Sequence, residues 1–370
     1  MLRPVNKSSQ VVLDQIARSS RLSSLDFMWT SGWHESVDRQ RGYFESRSTV
    51  ASDWEDVILQ GPHLTVATPF AKQPRSTMLS NQDYEVWNLE ELPSEAIPRT
   101  SYQRNTTTED YIAAYKSWNG KPSNQFWRLA WRAMADSSTV RTVHAALIPP
   151  KPMHVLSLFS LATSSLSDLA VAAGFFGSIV VDFLAKVSGK PNLKIDFIRQ
   201  IPHVANHNLE PELLLRTLRL NCLTRVYEPL WVELFDVAWQ QDSWTHDRTD
   251  RPALGEVTPD WRWETPLRTD FDRRHALVEI DAITAIMLDI TAEELCTIYR
   301  TQFGVLRKYE KAMRFDANGR QVPNEVLKEY EKKGDRADLG RYVLPFAPVD
   351  REKDMTRAHE LFTQRMRARQ

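Results

Sequence analysis

LSDLAVAAGFFGSIVVDFLAKV, residues 166–187, is the most apolar stretch of the chain, and the fold turns on how it is read. A membrane span needs about 20 consecutive, predominantly apolar residues. Asp168 and Asp182 interrupt this one, and Gly174 and Gly177 lie inside it. It therefore reads as a buried hairpin or core helix, with each aspartate near a helix end where water or backbone donors can reach it. The wider segment, residues 154–189, reads as helices, and Gly189 is the expected stop because glycine readily takes the left-handed conformation that closes a helix.

Downstream of this core, ELLLRTLRLNCLTRVYEPLWVELFDVAW (212–239) and DFDRRHALVEIDAITAIML (270–288) carry long helical periodicities. The polar, turn-rich residues 240–268 between them suit an exposed connection. Thr291 with Glu294 spells a capping box that opens a further helix. DANGR (316–320) is a turn signal, and the last twenty residues return to a helical pattern with a basic surface. Upstream, short β-type runs alternate with turns: DFMW, DVIL, HLTVATPF and the proline-bounded LEELPSEAIPRTSY. One helix is expected there, capped by Thr107 or Thr108, with Tyr111, Ile112, Tyr115 and Trp118 at helical spacing. The text from Trp127 to Pro150 ends in a strand-like run.

Composition narrows the chemistry. With 42% hydrophobic and 26% charged residues over 370 positions, the chain is an ordinary globular sequence. The first twenty residues lack the apolar run of a secretory signal, so the expected location is the cytoplasm. Cys222 and Cys296 are far apart, which excludes a zinc ribbon and argues against a disulfide framework. Twelve glycines are few for a glycine-rich cofactor loop, and Gly174 and Gly177 follow no strand. The Asp/Asn-Pro-Pro-aromatic tetrapeptide of amino-methyltransferases is absent, Ala67-Thr68-Pro69-Phe70 being the nearest text. His203 and His207 have no glutamate at 204 to make a zinc-protease motif. Pro259-Asp260 with Glu264 lacks the lysine of a nuclease.

The net charge of −1 means that any nucleic-acid contact has to come from local patches. Residues 121–151 hold Lys121, Arg128, Arg132, Arg141 and Lys151 against Asp136 alone, five positive and one negative, an excess of +4. Asn124, Gln125, Trp127, Trp131, Ser137, Ser138, Thr139 and Thr142 are interleaved with them, residue types that contact phosphates and base edges. Arg128 and Arg132 would project together from a helix, and a solvated helix face is the competing reading. Lys72 and Arg75, then Arg99 and Tyr102, form a second cluster in proline-stiffened loops.

Several blocks in order resemble the C-terminal region of large adenine-specific DNA methyltransferases of the type IIG and Eco57I-like kind, above all those of BREX and DISARM phage-defence systems. They are WHE (33–35), WEDVILQGPHLTVATPFAKQPR (54–75), IPRTSY (97–102), WRLAWRAMADSSTVRTVHAALIPP (127–150), GSIVVDFLAKVSGKPNLKIDFIRQIP (177–202) and RRHALVEIDAITAIMLDITAEELCTIYRTQFGVLRKYE (273–310), with DANGR following. The family's Asn-Pro stands here as Thr68-Pro69. The resemblance implies an α+β chain with a mixed, β-rich DNA target-recognition domain over residues 1–205, followed by a helical domain over 206–370. It implies a specificity role without catalysis. S-adenosylmethionine and the adenine pocket would lie on an upstream catalytic domain, and no cofactor is expected in this chain. Lys72, Arg75, Arg99, Tyr102, Arg128, Arg132, Arg141 and Thr142 become the candidate DNA contacts. Double-stranded DNA and a methyltransferase catalytic domain or subunit become the expected partners, with other defence-system proteins as further candidates and no membrane. An interaction scaffold without DNA contact is the alternative.

Overall fold

The computed structural model describes residues 7–369 except 79, 81 and 137, so Ser137 lies outside the described residues. Serines set the geometry of the apolar segment. Ser165 caps the helix Leu166–Gly177 by accepting from the Asp168 amide, while Ser178 ends that helix and caps the next, Ile179–Ser188, by accepting from Val181 N. Gly189 closes it at φ 60°. The two helices meet at 66°, and among the described residues no single helix is long and apolar enough to cross a membrane. Residues 169–185 are buried throughout.

A fully buried aspartate survives only if its oxygens are satisfied. The Asp182 carboxylate accepts from Thr142 N (2.7 Å) and Val143 N (2.8 Å) and pairs with Arg141. Gly174 has a different duty. A Cβ there would come within 2.7 Å of Leu213 Cδ1 and 2.8 Å of Thr217 Oγ1, so its bare backbone admits the helix Glu210–Asn221 at close range.

Against this helical pair lies a four-stranded antiparallel sheet in the order Phe27–Thr30, Leu158–Thr163, Arg128–Arg132, Ala145–Ile148. Trp29, Leu161, Leu129 and Leu147 stand in one row across it. Leu158–Thr163 is buried at every position, as expected of an inner strand covered on both faces. Helices Glu210–Asn221 and Asp270–Met287 pack on Leu166–Gly177, and the C-terminal helix Arg351–Ala368 packs on Asp270–Met287. The arrangement is α+β.

Residue 205 is not a gap in packing, because one apolar core runs from Val12 to Phe362. The helix Lys7–Arg18 packs on Ala292–Gln302, where Gln15 Nε2 donates to Asp289 O (2.8 Å) and Glu294 (3.3 Å). Thr107 caps the helix Thr108–Ala113, and the Thr291–Glu294 capping box is formed.

Several expectations need correction. Residues 154–189 are not helical throughout: Met153–His154 and Leu158–Thr163 are strands and the helices begin only at Leu166, because a short run that is apolar on both faces carries no period that separates strand from helix. The helix expected to carry Tyr115 and Trp118 ends at Ala113, and Ser117–Trp118 is a strand. HLTVATPF folds as a turn, with positive φ at Ala67 (47°) and Phe70 (56°) and an antiparallel bridge from Thr65 to Thr68. The periodicity of 212–239 breaks after Asn221 and resumes in Glu228–Leu234. Residues 240–268 are a packed strap rather than an exposed connection. Leu254, Val257, Trp261, Thr265 and Leu267 are buried in it, Trp261 Nε1 donates to Cys222 O (2.9 Å), and Trp231 Nε1 donates to Thr258 O (2.9 Å). An indole can bury its ring while its N–H satisfies a loop carbonyl, which lets a polar segment pack inward.

Candidate nucleic-acid interface

A small aromatic cluster stands apart from the main core and supports the first half of the site. Trp33 lies 5.0 Å from Tyr43, 5.1 Å from Tyr111 and 5.0 Å from Tyr115, centroid to centroid, and its Nε1 donates to Tyr111 Oη (3.1 Å). Phe44, beside Trp33, opens the strand Phe44–Thr49, which pairs antiparallel with Thr100–Arg104 through a register shift between Ser46 and Thr49. A second hairpin, Lys72–Pro74 with Tyr84–Val86, lies alongside. His63 ties them together. Its Nε2–H donates to Arg99 O (2.9 Å) while Nδ1 accepts from Gln60 N (3.0 Å), and burial lowers its pKa, so the ring stays neutral.

Between these hairpins opens a polar cleft of about 600 Å³, lined among others by Glu35, Arg39, Arg47, Gln60, Tyr84 and Tyr102. Tyr84 Oη donates to Gln60 Oε1 (2.7 Å) and Tyr102 Oη to Glu35 Oε1 (2.6 Å). Burial, then the bond to Glu35, raises the Tyr102 pKa well above the usual phenol range, and burial raises that of Tyr84, so both phenols remain donors at neutral pH. Arg39 and Arg47 are exposed, and Arg39 Nη1 donates to Ser46 Oγ (2.7 Å). Lys72 and Arg75 are exposed at the hairpin whose Tyr84 lines the cleft. Among the described residues, none of Arg39, Arg47, Lys72 and Arg75 makes a salt bridge. Arg99 is less available: its Nε donates to Pro74 O (2.8 Å) and its guanidinium pairs with Glu85, which fastens the second hairpin to the first.

The cluster at 121–151 divides differently. Arg128 and Arg132 lie on a strand, not on a helix. Arg128 is fully buried, with Nε donating to Phe126 O (3.3 Å) and Nη2 to the carbonyls of Pro149 and Pro152, and desolvation pulls its pKa down to about 10. Arg132 is partly buried and donates from Nε to Leu64 O (2.8 Å). Arg141 is buried against Asp182 and Gly177 O (2.8 Å), and Thr142 is buried beside it. Lys151 pairs with Asp53 (3.2 Å) and Glu55 (3.7 Å), leaving Lys121 exposed and without a salt bridge among the described residues. As folded, Arg128, Arg141 and Thr142 offer almost no surface to a ligand. They act as staples between the sheet, its loops and the core helices.

The structure thus brings Lys72, Arg75, Arg99 and Tyr102 to one neighbourhood and places the second set in the interior. Sequence reasoning missed Arg39, Arg47 and Tyr84. The signal was present in RQRGYFESRS, where three arginines surround a strand-like alternation. No protein-family profile matches this chain, and no curated protein matches it.

Proposed function

We propose that this chain is the DNA-binding specificity portion of an adenine-specific DNA methyltransferase of a bacterial restriction-modification or phage-defence system, acting in the cytoplasm on double-stranded DNA. Methyl transfer and S-adenosylmethionine belong, in this reading, to a catalytic module outside the chain. The sequence resemblance motivates the assignment. The observation that carries it is the set of exposed cations without salt bridges among the described residues, Arg39, Arg47, Lys72 and Arg75, at a polar cleft walled by Tyr84 and Tyr102, whose hydroxyls are held by Gln60 and Glu35.

Cations placed this way attract phosphates and release counterions when they bind. Three such contacts give a salt slope near −2.7, so affinity for a duplex should fall by about fortyfold between 50 and 200 mM salt. Fluorescence anisotropy with a labelled duplex of about 20 base pairs measures this. Replacing Arg47, Lys72 or Arg75 singly by Ala is expected to weaken binding to every sequence and to reduce the slope by roughly one unit. A wild-type chain with no salt-dependent binding, or three variants with unchanged slopes, removes the DNA assignment and leaves the interaction scaffold.

A further inference from the structure

The strap that was expected to be an exposed connection walls a cleft of about 1100 Å³. That volume is slightly above the roughly 300–1,000 Å³ typical of small-molecule sites. Trp263 lines it and is 37% exposed, and its Nε1 donates to Leu92 O (2.9 Å), so the ring is fixed with part of its surface open. Arg268 lies 4.6 Å from the Trp263 ring centroid and donates from Nε (3.0 Å) and Nη2 (2.7 Å) to the Trp263 carbonyl.

Some of the cleft's charges are paired. Arg251 is paired with Asp272 (2.6 Å) and Arg320 with Glu90 (2.7 Å). Arg219, Arg262 and Arg268 also line the cleft, and among the described residues none of them makes a salt bridge. Arg219 is buried and donates to the carbonyls of Thr265 (2.8 Å) and Glu264 (3.2 Å). Arg273 nearby is bonded in the same way, to Leu267 O (2.9 Å) and Leu220 O (3.0 Å). Desolvation brings Arg219, Arg268 and Arg273 to about 10, which leaves all three charged at neutral pH. The remaining lining carboxylates, Glu256 and Glu264, are exposed and solvated. The lining thus carries five arginines against four carboxylates, and Arg219, Arg262 and Arg268, without salt bridges among the described residues, share the cleft with a fixed, partly open indole, a combination suited to an anion that carries a flat ring.

We propose that this cleft binds a nucleoside phosphate, the base stacked on Trp263 and the phosphate drawn to Arg262, with Arg219 and Arg268 adding positive charge. The ligand is either a free mononucleotide or an unpaired nucleotide of a strand. The site is separate from the hairpin cleft of the DNA reading, since Lys72 and Arg75 do not line it.

Calorimetry on the full chain tests it with AMP and with a 5′-phosphorylated trinucleotide, using adenosine and inorganic phosphate as fragments. One saturable site is expected for the trinucleotide or for both larger probes, with each fragment at least about tenfold weaker. Saturation by AMP assigns the site to free nucleotide, and saturation by the trinucleotide alone assigns it to a strand. Trp263→Ala should weaken the binding by about tenfold or more through lost stacking. Arg262→Glu, at an exposed position where folding is not at stake, should weaken it similarly, whereas Lys72→Ala should leave it unchanged. The proposal is overturned if neither AMP nor the trinucleotide saturates, or if Trp263→Ala and Arg262→Glu both bind as the unaltered chain does. Loss of duplex binding with nucleotide binding intact would fail the DNA reading alone.

Discussion

At the start of an inner strand of the sheet, the buried Arg128 is bonded to main-chain carbonyls of Phe126, Pro149 and Pro152, whereas at the start of the C-terminal helix the buried Arg351 is gripped by Asp281 (2.5 Å) and Glu310 (3.0 Å). Glu310 also accepts from Tyr299 Oη (2.8 Å) and pairs with Arg274 (3.1 Å). The protonation energetics move in opposite directions. Neutral oxygens only partly replace water around Arg128, so burial dominates and lowers its pKa to about 10. Around Arg351 burial acts the same way, but the two carboxylates outweigh it and hold the pKa above its ordinary value. Both cations are charged at neutral pH. They differ in what their loss would leave behind.

Removing Arg351 takes from the buried Asp281 its salt-bridge partner and leaves Glu310 with Arg274 and Tyr299 alone, so Arg351→Ala should cost about 3–5 kcal/mol of unfolding free energy. Urea denaturation measures it, and a loss under about 1 kcal/mol would erase the distinction drawn here. Arg128→Met keeps most of the volume and leaves only carbonyls without a donor, for an expected loss of about 1–3 kcal/mol. The same variant should leave the salt slope of DNA binding unchanged. A shallower slope in a protein that stays folded would return Arg128 to the DNA contacts.

The smallest effect separates the two regions by pH. His154 is fully buried beside Arg128, with Nε2 2.7 Å from Ser160 Oγ, and burial first, then the Arg128 charge, lowers its pKa to about 3. The groups facing it are Arg128 and the neutral Tyr115. A histidine that stays neutral in the folded state contributes stability that is complete above its unfolded value near 6.5 and is lost as pH falls from there toward 3. At pH 5.5 this amounts to about 1.4 kcal/mol. The Glu310 pKa is held below the usual carboxylate range chiefly by Arg351 and Arg274, against the opposing desolvation. Its contribution is present above about 4.5 and is lost only as pH falls through that depressed value. Hydrogen exchange at pH 5.5 against 7.5, corrected for intrinsic rates, should therefore show lost protection around residues 153–160 but not around 351–362. Equal losses in both places, or an unaltered pH slope in His154→Gln, would refute the assignment.

Local signals were legible in the sequence because their partners lie within a few residues. The Thr107 cap, the Thr291–Glu294 box and the Gly189 stop form where they were read, and Asp168 and Asp182 do mark the two helix starts. The arginine cluster was not legible. The Pro149 and Pro152 carbonyls that hold Arg128 are 21 and 24 residues away, the Leu64 carbonyl of Arg132 is 68 away, and the Asp182 of Arg141 is 41 away. A charge count over a window sees none of these. The strap at 240–268 hid for a related reason: its polarity is real, but Trp261 and Trp263 donate to the distant carbonyls of Cys222 and Leu92, and its Thr258 carbonyl accepts from Trp231.

The docking of Gln15 on Glu294 spans 279 residues, which sets an order of events during synthesis. At about 5–20 residues per second, the ribosome needs roughly 15 to 60 s to go from one to the other. For all of that time the resting place of the helix Lys7–Arg18 on Ala292–Gln302 is not yet made, and for most of it the helix has left the ribosome. Val12, Leu13 and Ile16, buried in the finished fold, are then open to solvent and to any holdase that reads short apolar stretches. The helix Lys7–Arg18 thus settles only when the far half of this chain has arrived.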